Sequence, residues 1–116
     1  MDKVSNKTEN GKVFKCSKCD AIHIEFNNLN FNFSEKQYKH FANYILKLDG
    51  NEWEYKNRNS HYRRKIIIPI GHKNVNILLN NAELQELKQL FSFEKQGSII
   101  SEDLKIMNIN FTNFLN

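Results

Sequence analysis

The sequence is poor in residues that bend, cross-link or cradle. Its 116 residues include one proline, four glycines and two cysteines. No two glycines form a G-x-G arrangement, which argues against a nucleotide-binding loop. Two cysteines give at most one disulfide. A chain this long buries about two-thirds of its unfolded surface without needing one. No apolar run approaches the roughly 20 residues that a membrane helix requires. The opening MDKVSNKTENGKVFK has no apolar centre of the kind a secretory signal carries. A cytoplasmic location with reduced thiols is the expectation, with no membrane partner. No nucleophile–base pair or pair of catalytic carboxylates stands out, so the chain reads as non-enzymatic.

Arginine is scarce as well, and informative for that reason. Lys, Asn and Ile are abundant throughout, as a bias toward A/T-rich codons would produce, so single lysines say little. The three arginines all fall between positions 58 and 64. The net charge of +4 is spread unevenly. Residues 1–19 carry five Lys against Asp2 and Glu9, and residues 52–75 carry six cations against Glu52 and Glu54.

Hydrophobic period organises the rest. Residues 1–11 are polar and charged and read as a disordered lead. Val13 and Phe14 begin a short strand that enters a Cys16-Ser17-Lys18-Cys19 turn. Ile22, Ile24 and Phe26 then alternate with His23 and Glu25, and Leu29, Phe31 and Phe33 alternate with Asn30 and Asn32. That is a β-hairpin turning at Asn27-Asn28, residues that tolerate positive φ. Ser34 and Gln37 have capping-box spacing, and Tyr38, Phe41, Ala42, Ile45, Leu46 and Leu48 follow a helical period. Asp49-Gly50-Asn51 is the expected stop of that helix, near residues 35–48.

Residues 52–63, EWEYKNRNSHYR, lack a clean period and read as a loop, with at most a short strand near Trp53–Tyr55. A second hairpin follows over Arg64–Ile70 and Val75–Leu79, with Pro69 at an edge or bulge. Asn80 and Glu83 repeat the capping logic for a helix near 81–91. Residues 28–34 align with 74–80, which suggests a repeated ββα unit. The expected fold is α+β, one antiparallel sheet of two hairpins with two helices on one face. The expected core is Ile24, Phe31, Tyr38, Phe41, Ile45, Ile77, Leu84 and Leu87. The single domain would span 12–91. Residues 92–116 would form an apolar extension packed on the body or on a partner.

Two clusters carry chemistry. Cys16 and Cys19 can share a tetrahedral zinc, and His23 gives a C-x-x-C-x-x-x-H spacing, although its strand would have to bend back toward the turn. His40, His61, His72 or Asp20 are further donors. Free thiols in a turn and a redox pair are the alternatives, the latter disfavoured because a strand follows and not a helix. The second cluster is Arg58, Tyr62, Arg63, Arg64 and Lys65. Guanidinium forks suit phosphates and aromatic rings stack unpaired bases. The alternative is a solvated basic edge that discourages strand-to-strand aggregation.

Cys16-x-x-Cys19 followed by Ile22-His23-Ile24-x-Phe26-x-Asn28, with Arg64-Lys65-Ile66-Ile67-Ile68-Pro69, resembles a family of small bacterial proteins with a domain of unknown function. The resemblance covers roughly residues 16–91. Asn27 stands where that family has Gly. The resemblance implies domain limits and no activity. The expected function is a binding module that contacts RNA or a ribonucleoprotein through the arginine segment, with zinc as a possible stabiliser. A protein adaptor or homodimer using the outer sheet face and the C-terminal residues is the alternative.

Overall fold

The structure is a computed structural model that describes residues 3–92. Within that range the order is β1 (Lys3–Thr8), β2 (Gly11–Lys15), β3 (Ile22–Phe26), β4 (Leu29–Phe33), α1 (Glu35–Lys47), α2 (Gly50–Lys56), β5 (Ile66–His72), β6 (Val75–Leu79) and α3 (Asn81–Leu90). The chain is α+β. Residues 3–47 with 87–92 form one compact unit and residues 48–86 another.

The first unit is built on an antiparallel meander in the order β1-β2-β3-β4. Residues 3–8, expected to be disordered, form its first strand. Composition hid this because the anchor is polar. Asn6 is buried, and its side-chain amide donates to the carbonyls of Gln89 at 3.0 Å and Leu90 at 2.9 Å. Those are C-terminal carbonyls of α3, beyond the reach of the helix's own i+4 bonds, although the Gln89 carbonyl also accepts the Ser92 N–H at 3.1 Å. Strand and helix end therefore satisfy each other.

The β3–β4 turn forms as expected, with Phe26 opposite Leu29. Asn27 takes φ 53°, the one non-glycine residue with positive φ among those described. Ile22, Ile24 and Phe26 are buried. On the same side, Phe31 and Phe33 meet Phe41 of α1 at centroid distances of 5.1 and 5.3 Å. Phe91 completes the cluster, edge-on to Tyr38 and Phe41 at 5.6 Å each. Ile24, Tyr38, Ile45, Leu84 and Leu87 are buried as expected, while Phe31, Phe41 and Ile77 are half-buried.

In the second unit β5 and β6 form a separate two-stranded sheet. The two hairpins thus belong to two sheets and not to one. Each hairpin still leads into a capped helix. Ser34 and Gln37 exchange hydrogen bonds at 2.9 and 3.1 Å, and Asn80 and Glu83 do so at 2.8 Å in both directions. Pro69 lies at a register shift in β5, where its missing N–H costs no ladder bond.

The expected loop at 52–63 begins as a helix, α2. Asp49 is its N-cap and accepts from the Glu52 N–H at 3.1 Å, and Glu52 pairs with Lys56 one turn on at 2.8 Å. Gly50 is accordingly the first residue of α2 and not a left-handed stop. Its missing Cβ leaves room for the Asn81 side chain. The apolar extension expected at 92–116 lies, beyond Ser92, outside the described residues.

Candidate metal centre

Cys16, Cys19 and His23 come together without any bend in β3. The reason is register. Lys15 pairs with Ile22 and Phe14 with His23, so the six residues 16–21 close a loop directly beyond that pair. Ile22 and Ile24 are buried, which by alternation puts His23 on the opposite, outer face of the sheet. The loop folds over that same face. One ligand atom from each of the three residues lies within 4.8 Å of the others. Cys19 Sγ is 3.5 Å from His23 Nε2. Two donors on one tetrahedral zinc, with Zn–S about 2.3 Å and Zn–N about 2.0 Å, stand about 3.5 Å apart.

The surroundings suit thiolate and imidazole. Lys18 donates its backbone N–H to Cys16 Sγ at 3.4 Å, the kind of contact that offsets charge on a turn sulfur. Phe14 lies beside the imidazole with centroids 5.1 Å apart. Cys16 is half-buried and Cys19 exposed, and both are free thiols. Three donors can hold a metal ion and leave a tetrahedral ion one further position. Among the described residues His40, His61, His72 and Asp20 do not join this group.

The structure divides the five residues of the arginine segment. Arg64 turns its fork onto Glu83, with Nε to Oε1 at 2.7 Å and Nη2 to Oε2 at 3.1 Å. The hydrogen bond from Arg64, with a smaller contribution from the Asn80 N–H, holds the Glu83 carboxyl below its usual range against the opposing effect of burial. Lys65 closes its loop, donating from Nζ to the Ser60 carbonyl at 2.8 Å, while its own carbonyl accepts from Asn57 at 2.8 Å. Arg58 lies over the Tyr55 ring, 4.1 Å from guanidinium carbon to centroid. Tyr55, Tyr62 and Arg63 are exposed. Arg64 and Lys65 therefore hold local structure, as does Arg58 through its Nη1 bond to the Tyr55 carbonyl at 2.7 Å, and Arg58, Tyr62 and Arg63 with Tyr55 are at the surface.

Sequence reasoning gave no role to Asn32, whose Oδ1 lies 2.6 Å from His23 Nδ1, or to Glu83 as the partner of Arg64. Alternation had put Asn32 on the face of His23. The two-residue turn at Asn27-Asn28 sets Asn32 opposite His23, but the bond between the two side chains has no sequence signature.

A family model for DUF6686, a family of unknown function, matches residues 1–116. The chain belongs to that family. The DUF6686 match spans the whole chain, more than the 16–91 expected from motifs. No curated protein and no solved structure matches the chain. Among the described residues no helix of this DUF6686 member is long and apolar enough to cross a membrane.

Proposed function

We propose that this protein is a binding module that takes up zinc at Cys16, Cys19 and His23. The observation that carries the reading is the convergence of two sulfurs and one imidazole nitrogen within 4.8 Å on one face of the sheet. Sulfur and nitrogen donors select a borderline-soft ion such as zinc over magnesium or calcium, which take oxygen ligands. The ion would tie the β2–β3 loop to β3 and stiffen the outer face. Elemental analysis of protein purified without added metal tests this. Zinc close to one per chain, lost in the Cys16→Ser/Cys19→Ser variant, supports it. Less than about 0.2 per chain with both thiols freely titratable overturns it.

A second reading concerns what the module contacts. The Arg58 guanidinium is stacked on an exposed Tyr55 ring, and exposed Tyr62 and Arg63 lie within the next five residues of the chain. Flat cations and rings suit the bases and phosphates of single-stranded RNA. Arg64 contributes little there because Glu83 already fills its fork. A protein partner on the outer sheet face is the reading that replaces RNA if binding fails.

A further inference from the structure

His23 has a second ring nitrogen, and its environment decides what the first can do. Nδ1 lies 2.6 Å from Asn32 Oδ1. Asn32 is the direct cross-strand partner of His23, and Asn30 stands two residues earlier on the same face of β4. Asn32 Nδ2 donates to Asn30 Oδ1 at 3.0 Å, and Asn30 Nδ2 donates to the main-chain carbonyl of Ile24 at 3.3 Å. The adjacent Glu25 is paired with Lys12 at 3.8 Å.

The direction of this chain of bonds is set at its backbone end. A carbonyl only accepts. Asn30 must therefore point its NH₂ at Ile24, which leaves its oxygen toward Asn32. Asn32 must then donate to that oxygen, which leaves its own oxygen toward His23. An oxygen at Nδ1 requires a proton on Nδ1. The neutral ring then keeps its lone pair on Nε2, the atom 3.5 Å from Cys19 Sγ.

We infer that Asn30 and Asn32 form a positioning relay that holds His23 in the Nδ1–H tautomer and commits Nε2 to a metal shared with Cys16 and Cys19. The inference rests on reading this cluster as a zinc centre. A hydrogen bond from the far nitrogen fixes ring orientation as well as tautomer, and loss of such a partner typically weakens metal binding about 10–100-fold. Asn30 and Asn32 are exposed, so water replaces part of what they supply. The loss at this site belongs near the tenfold end of that range.

Ring nitrogen NMR on the full, metal-free chain reads the tautomer directly, and competition with a chromophoric chelator reads zinc affinity. In the wild type, neutral His23 should carry its proton on Nδ1. Asn32→Ala should shift the proton toward Nε2 and weaken zinc about tenfold. Asn32→Asp, which still accepts, should restore both, and Asn30→Ala, which frees Asn32 to turn over, should fall between. Backbone amide spectra of each variant report whether the meander is intact. If the wild type binds zinc but His23 is protonated on Nε2, or Asn32→Ala keeps wild-type affinity, the relay is overturned and the zinc centre stands. If the wild type takes up no zinc while Nδ1–H persists, the zinc centre is overturned and the tautomer assignment stands.

Discussion

The side-chain amide of Asn6 reaches across 84 positions of sequence to donate to the backbone carbonyl of Leu90 at 2.9 Å. It joins β1 to the end of α3 and explains why a polar segment near the N-terminus is ordered. Replacing Asn6 by Ala leaves the Gln89 and Leu90 carbonyls without this donor, at a cost of about 1–3 kcal/mol. Urea unfolding measures it. A loss below about 0.5 kcal/mol would show that water serves these carbonyls equally well.

Phe91 is fully buried between Tyr38 and Phe41, whereas Phe41 is half-buried. The cost of removing a ring follows the contacts and water exclusion it loses. Phe91→Ala should therefore cost about 3–5 kcal/mol and Phe41→Ala about 2–3 kcal/mol. The ranking is the sharper test. An equal or smaller loss at Phe91 would mean that the aromatic cluster does not hold the first unit together.

Glu83 is held below the ordinary carboxylate range chiefly by the hydrogen bond from Arg64. A carboxylate with a lowered folded pKa adds stability above its unfolded pKa and loses it as pH falls through the folded value. Glu83→Gln keeps an acceptor for the Asn80 N–H but ends the ion pair. The stability gap between wild type and variant should shrink as pH falls from about 5 toward about 3. A gap that is flat over that range would remove the ion pair as its source.

If Arg58 and Arg63 contact RNA phosphates, each Gln replacement should flatten the slope of log affinity against log salt by about 0.7 for a single strand. Arg64→Gln should leave that slope unchanged, because its charge is spent on Glu83. Fluorescence anisotropy with a labelled single-stranded RNA across a salt series separates the two. No binding at low salt, or an equal flattening from Arg64→Gln, sinks the RNA reading in favour of a protein partner.

The strands of the first hairpin, its turn at Asn27, both reciprocal caps and the pairing of Cys16 with Cys19 were all legible in the sequence. Each depends on neighbours within four residues or so, where backbone geometry alone sets which side chains meet. The α2 cap at Asp49 and Glu52 had the same local signature, but a helix of seven residues is too short to display a period. What only the tertiary structure decided depends on register and on distant partners. The pairing of Phe14 with His23 brings His23 to the turn of Cys16 and Cys19 with no bend in its strand. Slipping that pairing by one residue would put His23 on the buried side, because neighbouring side chains on a strand face opposite ways. Arg64 found Glu83, 19 residues on, and Asn6 found Leu90, 84 residues on. No local pattern encodes such pairs, since they exist only once separate elements have packed.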